Sequence, residues 1–374
     1  MFDPEEYKSE FLRYHTMAAT QQHFCNLGSV PHTDVGDDEL MKHVELYDVV
    51  ERKYAGFSQI VLDIYYADDA DHPYIDKFHD VRRPIAHSFR GARQIWGPAE
   101  FFYVFLVHRL TGSGINYAKK PSGYNNTILP HLSNCWSVEE LSTKAAEILN
   151  TDAKAYTSVG YQFPRFPKKN NYKRGGDRFI VEFLPDLVYD LVAYLEKGPK
   201  KKLRQVGDWM AQWNRDRGLT AYHFQYGAFI ADIADFFPEY VDRASPYFWG
   251  SNAIECVSYM TGGKKKIAAL DDVMEWAADV TGNVPYNLED VACDFIRWVE
   301  NYIKPGHDYE HLCFDTVWNS SSIIDHPYGR QRAMLHMGLV DTFNGMTNHP
   351  SDGKIIEAAG LEVHDYMDRA KMLA

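Results

Sequence analysis

Ala99-Glu-Phe-Phe-Tyr-Val-Phe-Leu-Val-His-Arg-Leu110 is an almost unbroken apolar run, and the fold class turns on how it is read. Periodicity alone allows either a buried helix or a buried strand. The run ends at Thr111-Gly-Ser-Gly114, the glycine stop of a helix, which favours the helical reading. Downstream, Asn134 or Ser137 can cap a helix running to about Leu149, with Glu140 at capping-box spacing from Ser137. Upstream, residues 1–70 read as two or three helices, with acidic first turns and apolar spacing such as Leu46, Val49, Val50 and Tyr54.

The pattern beyond residue 150 is also helical once one irregular stretch is passed. Residues 156–178 contain Tyr161-Gln-Phe-Pro-Arg-Phe-Pro-Lys-Lys-Asn-Asn-Tyr-Lys-Arg-Gly-Gly-Asp177, which mixes Pro, Gly, Asn, aromatic and basic residues. A loop of this length in a compact body is usually functional or disordered, and here it reads as the joint between two helical halves. The chain therefore divides into an N-terminal helical half, 1–155, a basic aromatic connector, 156–178, and a C-terminal helical half, 179–374. Helices are expected near 180–196, 200–216, 220–237, 251–260, 270–280, 288–303 and 353–372. The predicted fold class is all-α, a compact multi-helix body.

Composition bounds the function. With 374 residues and 45% apolar side chains, the chain can bury a sizeable core. The opening Met-Phe-Asp-Pro-Glu-Glu-Tyr lacks an apolar leader, and no run approaches the roughly 18 apolar residues of a membrane span. No membrane partner and a cytoplasmic location are the expectation. Five cysteines, at 25, 135, 256, 293 and 313, form no C-x-x-C pair, which excludes a thiolate zinc site and a disulfide framework. The net charge of -13 argues against a non-specific nucleic-acid coat. Locally the balance reverses: between Arg165 and Arg204 stand eleven Lys or Arg against five Asp or Glu. Lys168, Lys169 and Arg174 in this stretch are candidates for a localised polyanion contact.

Three constellations can carry chemistry. Phe78-His-Asp-Val-Arg-Arg-Pro-Ile-Ala-His-Ser-Phe-Arg-Gly-Ala-Arg93 sets Arg83, His87, Arg90 and Arg93 at helical intervals, a row that needs either an anion or carboxylate partners in the N-terminal helices. The segment 217–235 reads as a helix with Gly227 and Ala231 admitting another backbone, ending on Asp232 and Asp235. Asp235, beside Phe-Phe-Pro, can serve as a general base, since apolar surroundings raise a carboxyl pKa; capping or solvation is the competing role for both aspartates. Trp249-Gly-Ser-Asn-Ala253 opens a helix, where Gly250 and Asn252 form either an anion cradle or an ordinary cap. Sixteen histidines include no His-Glu-x-x-His, and neither a P-loop, a dinucleotide fingerprint nor a nucleophile elbow is present, so no metal and no cofactor are expected.

The order of these segments resembles the alpha-glutamyl/putrescinyl thymine pyrophosphorylase family, the amino acid:DNA transferases of phage DNA hypermodification, related to helix-hairpin-helix DNA glycosylases. Four stretches carry the likeness: Lys77-Phe-His-Asp-Val-Arg-Arg83, Gly227-Ala-Phe-Ile-Ala-Asp-Ile-Ala-Asp235, Trp249-Gly-Ser-Asn-Ala-Ile254 and Glu289-Asp-Val-Ala-Cys-Asp-Phe-Ile-Arg-Trp298. Departures are Asp80 for the family's Asn, Ser251-Asn252 for its Pro-Gly, and Ile296 for its Asp. The resemblance implies a glycosylase-like helical architecture in an infected bacterial cell. It implies DNA with a modified thymine as one substrate and an amino acid or polyamine as the other, joined with loss of pyrophosphate. Arg83, His87, Arg90 and Arg93 would hold the pyrophosphate, and Asp235, with Asp232 beside it, would be the base or orient the amine. Tyr247 and Trp249 would stack on the base. Two other readings compete: a glycosylase using Asp235 or Asp242, and a non-catalytic helical DNA-binding or interaction protein.

Overall fold

A computed structural model describes residues 3–27, 50–54, 59–68, 89–111, 128–151, 175–221 and 223–299. The connector from 156 to 174, the helix expected at 353–372, and Arg83, His87, Lys168, Lys169 and Arg174 lie outside the described residues.

The described chain is helical, as the apolar run requires. The helices are α1 (Pro4–Leu27), α2 (Gln59–Tyr65), α3 (Ala92–Ile95), α4 (Pro98–Thr111), α5 (Ile128–Leu132), α6 (Val138–Thr151), α7 (Gly175–Arg178), α8 (Leu184–Leu195), α9 (Leu203–Asp216), α10 (His223–Phe236), α11 (Ser251–Met260), α12 (Ile267–Thr281) and α13 (Pro285–Trp298). A 3-10 turn spans Arg52–Tyr54. A two-residue parallel bridge joins β1 (Lys201–Lys202) to β2 (Val241–Asp242).

Helix α4 is the spine of the larger core. Every residue from Phe101 to Thr111 is buried, because α2, α6, α8 and α10 pack around it. A helix apolar on all sides is stable only when surrounded in this way. The starts of α1 and α6 carry local signatures. In α1, Asp3 accepts from the backbone N–H groups of Glu5 and Glu6 at 2.8 and 3.0 Å, and Pro4 takes the first position, where no N–H is needed. At α6 the Ser137 hydroxyl accepts from Glu140 N–H at 3.2 Å, while the Glu140 carboxylate reaches one residue beyond a capping box, to Trp136 N–H at 2.7 Å.

The last four residues of the expected connector, Gly175–Arg178, are helical, and Phe179–Phe183 forms a π-helical turn before α8. Widening the turn leaves carbonyls unpaired within the helix. Tyr103 Oη donates to the Ile180 carbonyl and Ser142 Oγ to that of Val181, both at 3.0 Å, so α4 and α6 take up what the wide turn releases.

The helical halves on either side of the connector share their cores. Helix α4 packs on α8 and α10, and α1 packs on α11, α12 and α13. Asn283 fastens this second group: its amide nitrogen donates to the Val50 carbonyl at 2.8 Å and lies 3.3 Å from His15 Nε2, and its oxygen accepts from Asn287 at 3.0 Å. A seam therefore runs between the α4/α8/α9/α10 group and the α1/α11/α12/α13 group, crossed by residues 241–250.

Phe248 locks this crossing strand to α9. A Cβ added at Gly207 would sit 2.0 Å from Phe248 Cζ. We expect Gly207→Ala to cost about 1–3 kcal/mol, the usual penalty for overpacking a filled site. Denaturant unfolding checks this; an unchanged midpoint would mean that Phe248 has room to swing away. The close approach expected at Gly227 is likewise made by side chains and not by a neighbouring backbone, with Tyr247 Oη 3.0 Å from the Cβ position.

Candidate functional site

Asp235 lies at the seam. It ends α10, a helix whose other residues from Tyr226 onward are buried, and its carboxylate is only 5% exposed. Tyr286, at the start of α13, donates its hydroxyl proton to Asp235 Oδ1 at 2.6 Å. Arg243, on the crossing strand, reaches the same oxygen through Nη2 at 3.3 Å and also donates to Tyr286 Oη at 3.1 and 2.7 Å. Among the described residues both hydrogen bonds to Asp235 fall on Oδ1, so Oδ2 keeps its lone pairs for something else. Burial pushes the Asp235 carboxyl up to about 6, against the Tyr286 hydrogen bond and the positive charges of Lys53 and Arg243, with Asp232 adding to the rise. A group titrating there is basic enough to accept a proton and is largely ionised at neutral pH.

Asp232, expected beside Asp235 as a catalytic partner, has a different task. Its two oxygens accept from Arg109 Nε at 2.8 Å and Nη2 at 2.5 Å, and both side chains are under 5% exposed. Burial pushes this carboxyl up, opposed by the positive charge and hydrogen bonds of the Arg109 guanidinium. It faces the α4 side of α10, where Arg109 lies, and reaches no solvent. Its contribution to the site is a fixed negative charge behind the carboxylate at 235.

The aromatic and glycine candidates are also engaged. Tyr247 is 4% exposed, and its ring meets Phe248 and Tyr286 at 5.5 and 6.1 Å, so no base stacks on it as it stands. Trp249 is half-buried and donates Nε1 to Asp271 at 3.1 Å; Asp271 also holds Arg204 through two hydrogen bonds, and Arg204 Nε donates to the Tyr247 carbonyl. The Gly250 N–H, which an anion cradle would offer, donates to Glu289 at 2.9 Å. Glu289 in turn lies 3.6 Å from Arg52, which also meets Asp290 at 3.2 Å. The N-terminus of α11 is thus met by a carboxylate of the chain itself, and Asn252 sits half-buried in its first turn. Asp242 is exposed on β2.

Of the arginine row, Arg90 and Arg93 are described and both are exposed. Arg93 lies over the rings of Tyr65 and Tyr66, 4.7 and 5.6 Å from their centroids, and these rings pack on Phe236 at 4.9 and 6.1 Å. The guanidinium therefore stands on an aromatic shelf at the same end of α10 as Asp235. The shelf orients it at a cost of about 0.5–1 kcal/mol if lost at such an exposed position. We expect Arg93→Gln to lower the melting temperature slightly while weakening pyrophosphate binding at low salt, read by calorimetry; a large stability loss with unchanged anion affinity would make Arg93 purely structural.

No family model, curated protein or solved structure matches this chain. Among the described residues no helix is long and apolar enough to cross a membrane, and no group of three His, Cys, Asp or Glu is placed to hold a metal ion. Among the described residues Cys135, Cys256 and Cys293 form no disulfide.

Sequence reasoning missed Arg243, Tyr286 and Arg109. Arg243 follows Asp242 in a segment without periodicity, and Tyr286 lies 51 residues from the carboxylate it holds. Tyr286 carried one local signal: it follows Pro285 in the first turn of an amphipathic helix, where a buried aromatic hydroxyl needs a hydrogen-bond partner.

Proposed function

We propose that the chain is a DNA base-modifying transferase that joins an amine to the 5-methylene carbon of a pyrophosphate-activated thymine. The observation that carries this reading is Asp235, a carboxylate raised to about 6, held through one oxygen and open at the other, in a seam that also presents Arg243 and Lys53. The likeness of four stretches to the thymine pyrophosphorylase family supplies the substrate class, and Asp235 is the last residue of one of them.

The reaction balances as a substitution. The amine nitrogen forms a bond to the 5-methylene carbon, and the bond from that carbon to the ester oxygen breaks. Pyrophosphate leaves with the electron pair, and the ammonium proton passes to Asp235 Oδ2 and then to solvent. Arg90 and Arg93, with Arg83 and His87 of the same row, neutralise the departing pyrophosphate. The thymine must leave the stack to reach a carboxylate in a seam, and Trp249, half-buried at the end of the crossing segment, would stack on it. The negative charge of the chain is opposed for DNA by the basic residues of the connector, Lys168, Lys169 and Arg174 among them.

The test is to incubate the protein with DNA bearing pyrophosphorylated 5-hydroxymethyluracil and a panel of amino acids and polyamines, then digest to nucleosides for mass spectrometry. A new nucleoside with the mass of the amine adduct, absent with Asp235→Asn, is the expected result. Release of free base would favour the glycosylase reading, and an unchanged nucleoside profile would leave the non-catalytic one.

A further inference from the structure

We infer that the face formed by the end of α3, the cleft between α5 and α6, and Tyr189 on α8 is a docking surface for a basic, aromatic-bearing segment of a partner protein. It shares no residue with the Asp235 site and does not depend on the transferase reading. Among the described residues five large apolar side chains are exposed, and three of them stand here: Ile95 at 57%, Trp136 at 39% and Tyr189 at 42%. Two hydrogen bonds hold the pieces together. Trp96 Nε1 donates to the Cys135 carbonyl at 2.8 Å, joining the chain at Ile95 to the turn that carries Trp136. Tyr189 Oη donates to Glu139 Oε1 at 3.0 Å, joining α8 to the first turn of α6. Exposed apolar side chains gathered in one place and rimmed by polar groups mark an interaction site, whereas scattered single ones do not.

Next to Trp136 and Tyr189, α5 and α6 border a cleft of about 640 Å³. Three carboxylates of α6 line it, Glu139, Glu140 and Glu147, against one ammonium, that of Lys144, which is tied to Glu147 at 2.8 Å. Glu139 is held below the ordinary carboxylate range, first by its own backbone N–H and then by Tyr189, so it is charged at neutral pH. Asn134 and Thr143 also line the cleft, and among the described residues their side chains bond to nothing. The wall includes Cys135, 7% exposed, whose thiol has no hydrogen-bond partner among them either. A space of this size takes a small ligand or an inserted side chain with its neighbours.

Charge selects the occupant. The cleft is acidic and the whole chain carries -13, so a nucleic acid or an anionic membrane is repelled from this face. Arg93, the cation nearest to Ile95 in sequence, is engaged on the rings of Tyr65 and Tyr66. A second copy of the chain, docked symmetrically, would set the same glutamates against one another. A cationic segment is attracted, and arginine is the cation that also stacks on exposed Trp and Tyr rings. Apolar or aromatic neighbours of that arginine then cover Ile95, Trp136 and Tyr189. Such a pairing joins the side chains that carry most of the energy at protein interfaces, with charge setting the choice of partner.

Calorimetry at low salt with peptides repeating Phe-Arg-Leu-Arg tests this, against counterparts repeating Phe-Glu-Leu-Glu and Ser-Arg-Ser-Arg and against arginine amide. The basic apolar peptide is expected to bind, with the other three at least about tenfold weaker, because each lacks either the charge or the apolar anchors. Trp136→Ala should weaken binding about tenfold. The double variant Glu139→Gln/Glu140→Gln keeps an oxygen for the Tyr189 hydroxyl and for the Trp136 N–H, so it covers the event that Trp136→Ala does not fold by circular dichroism. It should weaken binding and flatten its dependence on salt. Equal binding of the glutamate peptide, binding indifferent to both variants, or no binding at all would overturn the inference. So would arginine amide binding as tightly as the peptide, which leaves a small-cation pocket only. Binding that appears only after Lys168→Glu/Lys169→Glu would make the chain's own connector the occupant, and sedimentation showing a dimer that Trp136→Ala dissociates would make it a second copy; either result overturns the inference too.

Discussion

Asp235→Asn is expected to make the protein more stable at neutral pH and to lower transfer at least about 100-fold, the usual loss for a general base. The stability half follows from linkage. The Asp235 carboxyl titrates at about 6 in the folded chain against 3.8 in the unfolded one, so the folded state holds the extra proton between those values. Its contribution is fully favourable below about 3.8 and is lost as pH rises through 6. At pH 7 the ionised, buried carboxylate costs about 3 kcal/mol relative to a neutral group. Asparagine removes that cost and keeps an oxygen for Tyr286 and Arg243. His15 has the opposite sign. Burial lowers it from 6.5 to about 4, so it withdraws stability as pH falls through that window. Wild-type stability between pH 4 and 6 is therefore flattened by two opposing groups, and the variant should lose stability steadily on acidification below 6.5. Chemical denaturation from pH 4 to 8 checks both curves. A variant less stable than the wild type at pH 7 would mean that Asp235 is held as a structural anion.

Arg109→Met is expected to be the most damaging single change among the described ion pairs. It would leave Asp232 buried and without its bidentate partner, and breaking a buried pair from one side costs about 3–5 kcal/mol. The double variant Arg109→Met/Asp232→Leu should recover most of that loss, because the pair has already given up two hydration shells and an apolar pair of similar volume does not. Asp235 supplies a second readout. Asp232 is one of the charges that raise its titration, so the double variant should move the Asp235 midpoint below about 6, by carbon NMR of labelled aspartate. Equal loss in the single and double variants would show that α4 and α10 need the ion pair itself to pack.

Helices and their ends were legible because the information is local. The run 99–110, the Ser137 cap and the 251–260 helix each sit inside a window of a few residues, where periodicity and capping chemistry act. The apolar surroundings of Asp235 were legible for a similar reason: it closes a small-residue helix next to Phe236 and Phe237, and apolar neighbours in sequence became apolar neighbours in space. Its neighbour Asp232 was assigned the same role and has another. Residues three apart on a helix share a face, so which of the two aspartates meets an arginine 123 residues away depends on how α4 lies against α10.

The all-α class and the approximate helix spans were thus determined by sequence alone, since backbone hydrogen bonding within a helix needs no distant partner. Tertiary structure alone decided that Tyr247 is walled in, that Glu289 covers the N–H at the start of α11, and that Arg243 and Tyr286 share one oxygen of Asp235. Each of these depends on helices from distant parts of the chain meeting at a seam, and what a buried polar group bonds to is set by what packing brings against it.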